Sequence, residues 1–311
     1  MAISSVKVTI NGTTHTLTDN GDGTYSKTIA APNKTSYNVN EGHYYPVTVT
    51  ATNQAGTSTT ANDSHATLGS KLRLVVRETS APTITVTQPT SNQYFATATP
   101  TFKFTITDEA NGSGITIGSV ALVIDLDSTN ELSYFGVDSA FKFTQITNGY
   151  SVEFTCPKAL ADGTHTLSIA AADNDGNTAT TSEISFTTDT VAPVLSVTNP
   201  STNGTYVANS ALNVTGTVSD STSGAPTVKI TLNGSDVGSV TVSNGAFSKS
   251  VTLKSGSNTI VVTATDKAGK TTTITRTVTL DTSSPVIASV VINPNPVNVG
   301  QNYTVTIEVT G

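Results

Sequence analysis

The sequence predicts an all-β protein, a row of tandem immunoglobulin-like β-sandwiches forming an elongated rod, from three observations. Strand-length stretches alternate apolar and polar residues, glycine-bearing turn dipeptides separate them, and proline-bearing junctions recur at the spacing of one sandwich. The alternation is explicit in Val6-Lys7-Val8-Thr9-Ile10, Phe102-Lys103-Phe104-Thr105-Ile106 and Val228-Lys229-Ile230-Thr231-Leu232. A period of two places one residue set on a core and the other in solvent. Thr and Val add to it, because β-branched side chains pack well on a pleated surface and lose freedom in helices. Asn11-Gly12, Asp22-Gly23, Asn148-Gly149, Asp162-Gly163 and Asn233-Gly234 are hairpin turns by composition.

The junctions are Glu78-Thr79-Ser80-Ala81-Pro82, Asp189-Thr190-Val191-Ala192-Pro193 and Asp281-Thr282-Ser283-Ser284-Pro285. Proline holds itself and its predecessor extended, so these links are short and stiff. Their spacing suits one sandwich of roughly 100 residues. A second repeat, Asn53-Gln54-Ala55-Gly56, Asp173-Asn174-Asp175-Gly176 and Asp266-Lys267-Ala268-Gly269, marks the last hairpin of each sandwich. Its Asp or Asn can bond the turn backbone, and its Gly can take positive φ. The resulting division is 1–79, 80–189, 190–282 and a partial segment, 283–311.

The outer segments are unequal. Val6–Gly12 matches Val228–Gly234, and Asp22–Lys27 matches Asn244–Lys249. The first domain therefore begins at what is a middle strand of the third and lacks two strands. Residues 285–311 supply such a pair, with Val290 and Ile292 on one strand and Val305 and Ile307 on the other. Unpaired strand edges are templates for another chain. Strand completion by another copy, or by a different protein, is one expectation; self-closure of the first domain or truncation of a longer chain are the others.

The chain of 311 residues carries a net charge of −7, and its 15 Lys and Arg are scattered. Nucleic acid and anionic membranes need a concentrated basic footprint and are not expected partners. Cys156, the single cysteine, lies on an alternating strand and reads as a buried, inert thiol. The N-terminus has no basic region followed by an apolar core, so no signal peptide is expected.

His43–Thr52, His65–Leu72, the Ala172–Asn177 turn and Asn293-Pro294-Asn295-Pro296-Val297-Asn298 resemble the multi-domain Ig-like proteins of Firmicutes phages and prophages, found among tail and baseplate genes. More generally, the repeats resemble bacterial Ig-like tandem domains. The phage resemblance implies a non-enzymatic virion component of a tail or baseplate, assembling with other virion proteins and touching host-surface glycans weakly. Such a protein folds in the host cytoplasm and leaves by lysis, without an export signal. The alternatives are a secreted or cell-wall adhesin fragment and a non-catalytic carbohydrate-binding accessory segment.

No catalytic or cofactor-binding residues are expected. The four histidines are dispersed, and no nucleophile elbow or phosphate loop is present. Asp173 and Asp175, like the junction residues Asp189 and Asp281, offer oxygen ligands of the kind calcium takes. The hairpin-turn reading is the more economical, so no metal is assigned and calcium is kept as an alternative. Asp125 and Asp127 alternate with apolar residues and are expected on the solvent face of a strand. Trp is absent, which disfavours sugar platforms; Tyr44, Tyr45 and Tyr94 are the remaining candidates for a contact surface.

Overall fold

In the computed structural model, which describes residues 2–311, the chain is all-β apart from two 3-10 turns, Gly69–Lys71 and Ile117–Ser119. It forms two compact units, Met1–Thr188 and Asp189–Gly311. The first unit opens with β1 (Ile3–Ile10), β2 (Thr13–Thr16), β3 (Thr18–Asp19), β4 (Tyr25–Ser26), β5 (Tyr45–Asn53), β6 (Ser58–Ala61) and β7 (Arg73–Leu74). Their main sheet runs β2-β1-β5-β6, with β7 on the end of β5. Asn11 and Gly12 both take positive φ, 47° and 76°, as a tight two-residue hairpin with right-handed twist requires. Register pairs Val6 with Ala51, Val8 with Val49 and Ile10 with Val47, so these six share one face.

That face is only partly covered. Val6, Val8 and Tyr45 are the only fully buried hydrophobic side chains among described residues before Ile84. A groove of about 450 Å³, lined by Ile10, His15, Ile29, Ala31 and Leu74, opens beside it.

The same unit continues with β8 (Thr83–Gln88), β9 (Gln93–Phe95), β10 (Thr101–Thr107), β11 (Ala121–Ile124), β12 (Leu132–Phe135), β13 (Phe141–Ile146), β14 (Gly149–Thr155), β15 (Gly163–Ala172), β16 (Thr178–Thr180) and β17 (Ile184–Thr188). Two sheets, β13-β14-β10-β8 and β12-β11-β15-β17-β9, enclose a complete core. Period-two alternation delivers Phe102, Phe104 and Ile106 to it from one strand and Val152 and Phe154 from its neighbour. Phe102, Phe104 and Phe154 are at most 1% exposed. Cys156 is buried in this core with its thiol on the Lys158 carbonyl; burial raises its pKa, which leaves it inert.

The second unit holds β18 (Val194–Asn199), β19 (Thr205–Val207), β20 (Ala211–Ser219), β21 (Thr227–Leu232), β22 (Ser235–Asp236), β23 (Val242–Ser243), β24 (Ala246–Thr252), β25 (Gly256–Thr265), β26 (Thr271–Leu280), β27 (Val286–Asn293) and β28 (Thr304–Thr310). Sheets β18-β20-β24-β23 and β19-β26-β25-β21-β22 enclose a second core around Val214, Ile230, Ile260 and Val262. In both complete sandwiches the first strand pairs antiparallel in one sheet. The chain then crosses, and the next short strand pairs parallel in the other sheet, β9 on β17 and β19 on β26.

Strand lengths differ between the first segment and its sequence counterpart. The strand β24 has seven residues because β20 holds it along its length. Its sequence counterpart β4 has two, because nothing equivalent to β20 stands beside it.

The final pair, β27–β28, forms a sheet of two strands, and every residue from Asp281 to Gly311 is exposed. A bulge at Ala288 brings Ile287 onto the same face as Val290 and Ile292, opposite Val309, Ile307 and Val305. These six are 43–65% exposed. In the second unit's sandwich the corresponding strand pair, β18–β20, turns Leu195, Val197 and Val218 into the core, each at most 8% exposed.

The solvent faces are sewn by hydroxyls. Thr9–Thr14, Thr50–Thr60, Thr52–Ser58, Thr101–Thr155, Thr198–Thr215 and Thr263–Thr273 bond across neighbouring strands at 2.8–3.2 Å. Such cross-strand pairs each contribute on the order of 0.2–1 kcal/mol.

Candidate functional site

The three tyrosines do not form one surface. Tyr45 is 3% exposed and donates its hydroxyl to the Lys34 carbonyl, so it is a core residue and not a contact residue. Its alternation with Val47 and Val49 is what carries it inward. Tyr44 donates to Asp63 at 2.9 Å, and the Arg73 guanidinium lies 4.6 Å from its ring centre, covering one face. Tyr94 sits half-buried in β9.

Asp125 and Asp127 are not on a strand. β11 stops at Ile124, and both take positive φ in the turn that follows. Asp125 accepts from the Thr166 N–H and holds His165 Nδ1 at 2.7 Å, while His165 Nε2 meets the Ala161 carbonyl. With both ring nitrogens engaged and no nucleophile bonded to the imidazole, this is a structural clip.

The oxygen-rich residues also separate. In the last-hairpin repeat, Asn53, Asp173 and Asp266 each accept the N–H four residues on, from Thr57, Asn177 and Lys270. Asp173 is finished by the Asn177 amide on its other oxygen. Asp175 accepts from Thr35 Oγ1 and the Glu78 N–H. Asp281 is exposed and bonds Ser283. Asp189 alone joins a group of carboxylates.

Two such groups exist among the described residues, Glu78 with Asp108 and Glu109, and Asp189 with Asp220 and Asp266; within each, one oxygen per residue lies within 4.8 Å of the others. They are built alike. Glu78 and Asp189 stand four residues before a junction proline. Asp108 and Asp220 immediately follow β10 and β20, and a Ser-Gly with positive glycine φ, Ser113-Gly114 or Ser223-Gly224, comes shortly after. The junction and turn acids were visible as repeats. The strand-closing Asp108 and Asp220 were not singled out, although an Asp ending an alternating strand before a Ser-Gly turn was the available signal.

Their hydrogen bonding differs. In the first group Asp108 accepts the Glu109 and Gly114 N–H groups, Glu78 accepts Ser113 N–H, and Ser113 Oγ accepts from Asp175 N–H. A side chain at Gly112 would place its Cβ 2.5 Å from Asp108 Oδ2 and 2.6 Å from Glu78 Oε2. Burial pushes the Glu78 carboxyl from 4.5 to about 7, with help from the neighbouring acids and against the Ser113 bonds. Glu109 is also penalised by burial, but hydrogen bonds from Glu78 and Ser80 hold it below the ordinary range. Glu78 Oε2 is buried without a hydrogen-bond partner.

A raised folded-state pKa means the folded chain binds the proton more tightly than the unfolded one. This stabilisation is complete below about pH 4.5 and is lost as the pH rises through about 7. Glu78→Gln, which keeps the Ser113 acceptor, is therefore expected to match the wild type at pH 4. At pH 8 it should exceed it by on the order of 1–3 kcal/mol. Urea unfolding at both pH values checks this; parallel pH curves for the two proteins would refute it.

In the second group Asp220 accepts the Thr222 and Ser223 N–H groups and Asp189 Oδ1 accepts Val191 N–H. Asp189 Oδ2, Asp266 Oδ2 and Ser223 Oγ are buried without any hydrogen-bond partner.

Residues 87–190 match the family described as bacterial Ig-like domain, and residues 193–282 the family described as glucodextranase, domain B. Over 189 residues, 55% of this chain, the sequence is 31% identical to bacillopeptidase F of Bacillus subtilis (strain 168); the match spans 13% of that protein's length. Among solved structures, fibronectin(III)-like modules of Clostridium thermocellum CbhA are similar at 17% identity with a TM-score of 0.40, over 64% of this chain and 94% of that one. A 1.5-MDa bacterial ice-binding adhesin is similar at 22% identity with a TM-score of 0.31, over 90% and 88%. The chain is an all-β, multi-domain array of tandem Ig-like sandwiches, two stretches of which match these two domain families. No helix among the described residues is long and apolar enough to cross a membrane.

Proposed function

We propose that the chain is a non-catalytic adhesion array that holds a partner or enzyme at a polysaccharide-bearing surface outside the cell. One observation carries this reading. The same kind of sandwich matches a domain of a glucan-degrading enzyme by name and part of a peptidase by name, so what they share is not substrate chemistry. What this chain brings is a spacer with hydroxyl-rich faces. Many weak contacts along such an array would add to a useful avidity.

The test is co-sedimentation of the full chain with intact bacterial cells, isolated sacculi and insoluble glucans. Retention on at least one, together with absent hydrolysis of each, is the expected result. No retention on any of them would sink the adhesion reading.

The second reading, decoration of a phage tail or baseplate, draws on the resemblance of residues 43–52 and 293–298 to phage Ig-like proteins. Antibody labelling of purified particles against cell-wall fractions separates the two. Assembly in either case would use the exposed face of β27–β28, with Val290, Ile292, Val305 and Ile307, and the partly covered face of β1 and β5 in a second copy as its complement.

A further inference from the structure

We propose that Asp189, Asp220, Asp266 and Ser223 bind one calcium ion at the end of the 194–280 sandwich. Three carboxylates converge there with an oxygen of each within 4.8 Å of the others. Calcium binds oxygen at roughly 2.3–2.6 Å, so two ligands on opposite sides of one ion stand about 4.8 Å apart. Asp189 is 0% exposed, Asp266 7% and Ser223 2%. Their Asp189 Oδ2, Asp266 Oδ2 and Ser223 Oγ atoms have no hydrogen-bond partner. An unpaired buried carboxylate is costly, and here two carry their free oxygens together.

The comparison with the first group shows what is special. At the position of Asp266, Asp173 has its second oxygen capped by Asn177; the residue corresponding to Asn177 is Lys270, which gives Asp266 only its backbone N–H. At the position of Ser223, Ser113 Oγ accepts the Asp175 N–H, whereas Ser223 Oγ has no hydrogen-bond partner. Donors are all oxygen, which suits a hard cation, and neither His nor Cys belongs to the group.

The ion would fasten the segment before β18 to the turns after β20 and β25, the three places that supply its carboxylates. The test is titration of the chelator-stripped full chain with calcium chloride, by calorimetry and by thermal unfolding, with magnesium chloride as comparator. One calcium per chain is expected. At a hundredfold excess over Kd the unfolding midpoint of this sandwich should rise by about 10 °C or more. Magnesium should bind at least about tenfold more weakly.

Asp266→Asn retains the acceptor for Lys270 N–H, as Asn53 does for Thr57 in the first sheet, and is expected to weaken calcium at least about tenfold. Asp189→Asn should do the same. Absence of binding up to about 10 mM calcium, equal binding of magnesium, or unchanged calcium affinity in both variants would overturn the proposal.

Discussion

Removing residues 283–311 is expected to abolish concentration-dependent self-association of the chain. The deleted strand pair exposes Ile287, Val290, Ile292, Val305, Ile307 and Val309 on one face. In the complete sandwich the corresponding face is core. Each such side chain fully buried stabilises by about 1.5–3 kcal/mol, enough in sum to exceed a cost of association of about 4–15 kcal/mol. The first segment offers the complement. Its β1 and β5 are matched in sequence to β21 and β25, and the face they share is only partly buried, with Ile10 bordering a groove. Because the two surfaces differ, the contact is heterologous and adds copies in a line.

Sedimentation velocity of the full chain should therefore shift to larger species between roughly 1 and 100 μM, while the chain ending at residue 282 stays monomeric. Val290→Asp with Ile307→Asp should reproduce the deletion. If the full chain is monomeric throughout, the completion proposal fails.

Phe154→Ala carries the second large effect. Phe154 is fully buried and lies 4.6 Å from Phe141, 4.9 Å from Tyr134 and 6.2 Å from Phe102, centre to centre. Truncating a buried aromatic costs about 3–5 kcal/mol, because the cluster cannot collapse into the space. For a domain of this size the corresponding unfolding midpoint should fall by at least about 12 °C. The cores around Phe154 and Ile230 share no residue, so a separate transition for residues 193–282 should stay where it is. Calorimetry resolves both. A single transition that moves as a whole would show that the two cores unfold together.

The strands were legible because each complete sandwich obeys one rule along its whole length. Period two carries Phe102, Phe104 and Ile106 inward and leaves Lys103 outside, paired with Glu153 at 3.1 Å. Tyr45 was misread because aromatic character signals a platform as readily as a core, and only the strand's register distinguishes them. Asp125 was misread because alternation continued in the sequence past Ile124, where the backbone had already turned. The carboxylate groups were half legible. Asp189 and Asp266 are 77 positions apart by numbering, and the closure that unites them with Asp220 depends on which strand ends meet at one pole.

The hydroxyl rows on the solvent faces have a consequence for where such a chain can work. Only 12% of its residues are charged, and the Lys103–Glu153, Lys142–Glu153 and Lys229–Asp236 pairs are each substantially exposed. Exposed ion pairs fade as salt rises, whereas a Thr–Thr bond across two strands is neutral at both ends. The sheets are thus held by forces that dilute medium and brine leave alike.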